Sequence, residues 1–347
     1  MRFLFLGVCA AGMFACSGSD SSSESALRPP DGNPDASTDA DFAMDAGSDA
    51  KVGADAAPCR PPSGGTPRTL VALGALPHGL ATDGSFVFYT AGNALMKVAV
   101  TGGTPTPVAT GARPDVVLLG ASDVYWSDVA VTNEDFKLST MPKAGGATRV
   151  IETHRKASFT GLTIDGTYLC WVTSQGGALT RQVLSMASDA ETLGTLTDAG
   201  QNVQELAISG SKAYYGRTTD LSAELMSIPL AGGSPTVVLS SLDGFANSVR
   251  ADARRVYVSD DKTVRAVDVA SGKPSTIAAQ QEGPTGLFVD GDEIYWANVR
   301  AGTIKRARVD GSCPVTIASG QGEPSAVVVD ANRVYWLTGR ALVAVPK

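Results

Sequence analysis

Seven times between residues 87 and 336 the chain repeats one short phrase: an apolar residue followed by two positions rich in aromatic side chains. The copies are Val87-Phe88-Tyr89, Val124-Tyr125-Trp126, Leu169-Cys170-Trp171, Ala213-Tyr214-Tyr215, Val256-Tyr257-Val258, Ile294-Tyr295-Trp296 and Val334-Tyr335-Trp336. All four Trp of the chain stand in the last position of this phrase, and its copies recur at spacings of 37, 45, 44, 43, 38 and 40 residues. A period of that length implies one supersecondary unit repeated, each copy burying its apolar face against the next.

Each unit has the same internal order. A short apolar strand (Leu80-Ala81-Thr82, Leu162-Thr163-Ile164, Leu287-Phe288-Val289) runs into an Asp-Gly turn (Asp83-Gly84, Asp165-Gly166, Asp290-Gly291). The Gly supplies the positive φ such turns need. The aromatic strand follows, then a third strand such as Leu225 to Leu230 or Ile304 to Val309 ending near Gly232-Gly233 or Gly311-Ser312, then a fourth such as Thr236 to Leu239 or Val315 to Ala318. Four short antiparallel strands every 40 residues predict an all-β fold, a seven-bladed β-propeller. After Trp336 the seventh unit has room for only one more strand, Ala341 to Val345, while Arg68 to Leu73 is a spare strand ahead of the first unit. Pairing the spare strand into the last blade closes the ring and removes an exposed edge.

Val124-Tyr125-Trp126-Ser127-Asp128 and Ile294-Tyr295-Trp296-Ala297-Asn298 resemble the YWTD repeats of lipoprotein-receptor propellers, and residues 68 to 347 resemble the bacterial relatives of those and of NHL-type propellers. The resemblance implies fold rather than function. No copy has the full Tyr-Trp-Thr-Asp, and the receptor propellers have six blades.

Ahead of the repeats, Arg2, the apolar stretch Phe3 to Ala15 and the polar run from Ser17 have the layout of a secretory signal over residues 1–15. Met13-Phe14-Ala15-Cys16 resembles the bacterial lipobox, which implies Cys16 as a lipidated first residue and, with Ser17 next, sorting to the outer membrane; ordinary cleavage without lipid is the alternative. Residues 16–57 are mostly Ser, Asp, Ala and Gly and read as a disordered linker, because they hold too little apolar surface to offset the entropy of ordering. The nine acids against Arg28 and Lys51 between residues 17 and 57 account for the net charge of −7, so the body at 58–347 is nearly neutral and no nucleic-acid partner is expected.

Export permits disulfides. Cys9 leaves with the signal, Cys170 falls in an aromatic strand as a buried free thiol, and Cys59 and Cys313 remain as a pair that would staple the ring's seam. The chain has no nucleophile elbow, phosphate loop, dinucleotide fingerprint, Cys-x-x-Cys or His-Glu-x-x-His, and only two His, His78 and His154. No cofactor or metal is expected; acidic runs such as Asp290-Gly291-Asp292-Glu293 and Ser259-Asp260-Asp261 read as hairpin turns. The basic pairs Arg254-Arg255 and Lys305-Arg306 read as solvated strand surface.

Five residues ahead of each turn, the first strands begin with His78, Asp115, Thr160, Gln204, Asn247, Thr285 and Ser325, all polar. Since the first strands surround the channel, this column and the neighbouring Glu205 form a candidate ligand ring, beside long second-to-third strand loops at Ser127 to Phe136, Val172 to Arg181 and Gly216 to Ala223. The side chains equally suit a bland role, satisfying backbone groups at strand starts. The expected function is an envelope-tethered, monomeric propeller, not catalytic, binding a protein, peptide or glycan through the long-loop face. The alternative is an exported lyase or hydrolase drawing acid and base from Glu205, His78, Asp115 or His154.

Overall fold

The computed structural model describes residues 58–61, 64–110, 113–129, 135–155, 157–174, 178–184, 191–195, 203, 205–218 and 223–347. The expected signal segment, Cys9, Cys16, the linker and Gln204 lie outside the described residues.

Twenty-eight strands form seven antiparallel four-stranded sheets. A closing strand, β1 (Arg68–Ala72), comes first. Blade 1 holds β2 (Leu80–Thr82), β3 (Phe86–Ala91), β4 (Ala94–Ala99) and β5 (Thr106–Thr110). Blade 2 holds β6 (Pro114–Leu119), β7 (Asp123–Asp128), β8 (Phe136–Pro142) and β9 (Arg149–His154). Blade 3 holds β10 (Phe159–Ile164), β11 (Tyr168–Thr173), β12 (Ala178–Val183) and β13 (Glu191–Thr195), and blade 4 holds β14 (Leu206–Ser209), β15 (Lys212–Thr218), β16 (Ala223–Pro229) and β17 (Thr236–Leu242). Blade 5 holds β18 (Ser248–Ala251), β19 (Arg255–Ser259), β20 (Val264–Asp268) and β21 (Pro274–Ala278), and blade 6 holds β22 (Pro284–Asp290), β23 (Glu293–Asn298), β24 (Thr303–Arg308) and β25 (Val315–Ala318). Blade 7 is β26 (Ser325–Val329), β27 (Arg333–Thr338), β28 (Ala341–Pro346) and, as its outer strand, β1, paired Arg68 to Ala344 and Ala72 to Ala341.

The turns explain why the units fold locally. Asp83 closes its hairpin by accepting the N–H of Ser85 at 2.9 Å and of Phe86 at 2.8 Å. Asp165 repeats this with Thr167 and Tyr168, and Asp330 with Asn332 and Arg333. These are Asx turns, in which the carboxylate consumes amides the turn would otherwise leave open. Gly84 and Gly166 take φ of 81° and 88°.

The core lies between blades. Trp126, Trp171, Trp296 and Trp336 are at most 2% exposed, each worth a few kcal/mol of burial. At the seam Val87 and Tyr89 of blade 1 pack with Tyr335, Leu337 and Leu342 of blade 7 as other neighbours pack, so the ring is sealed.

The seam has a second lock. Cys59 and Cys313 are disulfide-bonded, with Cα atoms 5.4 Å apart, and Cys170 is buried and free, its thiol pushed up to about 12 mainly by burial. Bonded cysteines of this kind mark an oxidising compartment, hence an exported protein. Residues 58–61 thus cross blade 6 before β1 enters blade 7. Arg306, read from the sequence as solvated, is instead 4% exposed: its guanidinium donates to the carbonyls of Arg60 and Pro61 and, at 2.8 Å, to Glu293. Burial under the strap is the reason that reading failed.

Candidate functional site

The two faces of the ring are built differently. One carries the first-to-second and third-to-fourth strand turns, where Asp83, Asp165, Asp252, Asp268, Asp310 and Asp330 accept from their own hairpins and Asp290 pairs with Lys347. The other carries the connections between blades and the second-to-third strand loops; of the three long loops, residues 130–134, 175–177 and 219–222 lie outside the described residues. Leu76, Val129 and Phe245, three of the large apolar side chains left exposed, sit on this loop face, Phe245 at 60%.

The inner strands line a central channel of about 1000 Å3. His78, Asp115, Glu205, Thr285 and Ser325 of the expected ring all border it. Thr160 and Asn247 do not: Thr160 donates its hydroxyl to the Val172 carbonyl at 3.3 Å, and Asn247 turns its amide to Asp261 at 3.3 Å. Thr160 thereby satisfies a backbone carbonyl at its strand start, as the bland role has it, whereas Asn247 serves a side-chain carboxylate of the neighbouring loop. Thr285 does both, donating to the Asn247 carbonyl at 3.4 Å. His154 sits at the end of β9, the outermost strand of blade 2, paired with Glu152 and edge-on to Phe159, so it is not available to the channel.

Two pairs of polar side chains border the channel on different sides. His78 Nδ1 stands 3.8 Å from Asp115 Oδ1, joining blades 1 and 2. Glu205 pairs with Arg250 of β18, joining blades 4 and 5. The position of Glu205 is Gly79 in blade 1 and Gly286 in blade 6, where an added Cβ would come within 2.7 Å and 2.9 Å of the next blade's backbone. In blade 4 the larger side chain lines the channel instead. Arg250 was not singled out from the sequence. Its signal was present, since the matching positions are Ala81, Leu118, Thr163, Ala207, Phe288 and Val328, and Arg is the one charge among them. The remaining acids at the wall, Asp165 and Asp252, hold their own turns; Asp252 also accepts from Tyr257 at 2.6 Å.

On the loop face the Trp column is capped unequally. Trp296 and Trp336 donate to Gln281 and Gln321 at 3.2 Å and 3.1 Å, and Gln281 also accepts from Asn298. In blade 2 Asp128 stands where blade 6 has Asn298. The Trp126 Nε1 and one Asp128 oxygen are buried without a hydrogen-bond partner among the described residues. Burial raises the Asp128 carboxyl to about 6, with Lys137 and the nearby Trp126 indole opposing the rise. No group of side chains able to hold a metal ion exists among the described residues.

No protein-family model matches the chain, and no curated protein matches it in sequence. Solved structures do. A virginiamycin B lyase from Staphylococcus aureus is 12% identical, over 82% of this chain and 98% of that one, with a TM-score of 0.67. The WD40 propeller domain of Doa1 is 12% identical over 81% and 97%, TM-score 0.61. A chain of a nidogen/laminin complex is 12% identical over 68% and 93%, TM-score 0.53. At such identities the likeness establishes a propeller and nothing finer.

Proposed function

We propose that this is an exported binding protein: residues 1–15 direct secretion, Cys16 carries the lipid that holds it at the bacterial outer membrane, residues 16–57 are the tether, and the propeller binds a protein, peptide or glycan through its loop face. The observation that carries this reading is the exposed apolar surface of the loop face, Leu76, Val129 and Phe245, together with a channel wall on which the Asp115 carboxylate is 42% exposed. Exposed apolar groups beside polar ones are the composition of a contact surface. The nidogen/laminin complex shows a propeller of this kind associated with another protein.

The test is a screen of the protein against glycan and envelope-protein libraries, repeated with Phe245→Ser, Asp115→Ala and, on the opposite face, Lys273→Ala. Ligands lost with the first two and retained with the third support the reading; ligands indifferent to both loop-face changes refute it. A second reading, an exported lyase or hydrolase, is favoured by His78 meeting Asp115 at 3.8 Å inside the channel and by the likeness to a lyase. That separation exceeds the reach of about 2.6 to 3.2 Å expected for proton transfer. Turnover of a bound ligand that stops in Asp115→Asn while binding persists would establish the enzyme.

A further inference from the structure

Arg250 is half of an ion pair, but only half of its guanidinium is used. Nη1 donates to Glu205 Oε2 and, at 2.8 Å, to the carbonyl of Val249. Both of its hydrogens are thereby engaged. Nε and Nη2 donate to no group among the described residues, and the side chain is 40% exposed at the channel wall. Those two atoms form the flat edge that accepts a carboxylate through two parallel hydrogen bonds. Glu205 fixes the guanidinium through Nη1 at the channel wall and leaves the Nε and Nη2 edge without a partner among the described residues.

Three blades away stands a group of opposite sign. Asp115 is 42% exposed, and its distance from His78 is longer than a hydrogen bond, so its carboxylate is not consumed. Blades 2 and 5 of seven lie nearly across the ring from each other. The acids at the wall, Asp115, Asp165, Glu205 and Asp252, outnumber Arg250, which disfavours a dianion such as free phosphate and favours a ligand that brings a cation together with its carboxylate. A free amino acid carries both charges on one carbon and cannot reach opposite walls; a peptide separates them by roughly 3.3 to 3.6 Å per residue. Between the charges, Leu118, Phe288 and Val328 offer apolar wall, and Ser325 and Thr285 offer hydroxyls to amide groups.

We propose that the channel holds a short peptide with free ends, its carboxylate on the Nε and Nη2 edge of Arg250 and its ammonium on Asp115. This rests on the binding reading above and names the ligand class. The probes are di- to penta-alanine, each free, carboxy-amidated or amino-acetylated, titrated calorimetrically into the full-length protein. At least one length should bind, and blocking either end should weaken it at least tenfold. Arg250→Met should bind acid and amide alike, and Asp115→Asn should bind free and acetylated peptides alike. Arg250→Lys, which keeps the charge and a partner for Glu205 but has no flat edge, should lose most of the preference for acid over amide. If no member of the series binds, or if both Arg250 variants keep the preference, the proposal is wrong. Failure here with a partner still captured through Phe245 leaves the wider reading intact; peptide binding with no loop-face partner refutes the loop-face surface alone.

Discussion

Replacing Asp128 by Asn should make the protein more stable at neutral pH and remove a pH dependence. The wild-type carboxyl is raised from 3.8 to about 6 chiefly by burial, and one of its oxygens has no hydrogen-bond partner among the described residues. A carboxyl whose folded-state value exceeds its unfolded one binds its proton more tightly in the native state. Its effect is therefore nil below about pH 4, grows as pH rises, and is a full penalty above about pH 6. The difference corresponds to about 3 kcal/mol, and partial contact with water reduces it to about 1.5 kcal/mol. In blade 6 the neutral amide of Asn298 takes the corresponding place beside Trp296, donating to Gln281 at 3.0 Å. Urea unfolding midpoints of the two proteins at pH 4, 5, 6 and 7.5 measure the effect. The curves should coincide at pH 4 and separate through pH 5 and 6, with the Asn variant ahead by about 1.5 kcal/mol at pH 7.5. A variant equal to or weaker than wild type at pH 7.5, or a gap that does not change with pH, refutes the assignment of a desolvated carboxylate.

Cutting the disulfide with Cys59→Ser and Cys313→Ser together should cost about 3 to 5 kcal/mol, because the bond closes a loop of 254 residues; thermal unfolding with and without reductant reads it, and a reductant-insensitive wild type would contradict it. Gln321→Ala strands the buried Trp336 N–H and should cost about 1 to 3 kcal/mol, whereas the same change at the exposed Gln280 should cost little. Gly286→Ala forces a Cβ to within 2.9 Å of the Ala326 backbone at a φ of 61°, so it should destabilise the junction of blades 6 and 7 by more than about 1 kcal/mol; a neutral calorimetric result would show that the blades can move apart there. Labelled fatty acid should enter the wild type and not Cys16→Ala; label in both would remove the lipid anchor.

What could be read along the chain was what depends on near neighbours. The aromatic phrase, the Asp-Gly turns and the three-strand seventh unit specify four-stranded blades, their number and the closing role of Arg68–Ala72, since each signal lies within one hairpin or repeats at a fixed period. The pairing of Cys59 with Cys313 was legible as well, because only those two cysteines had no other assignment. The channel was legible as a list of positions and not as a site. Thr160 and Asn247 follow the same polar column as His78 and Asp115, yet a nearby carbonyl and Asp261 claim them, and no period records such local competition. Likewise Glu205 meets Arg250 across 45 residues, and Arg306 is buried by a strap that arrives from 246 residues away. Tertiary structure decided these because charges and hydrogen bonds depend on distance in space, and closing a ring brings together side chains that belong to different repeats.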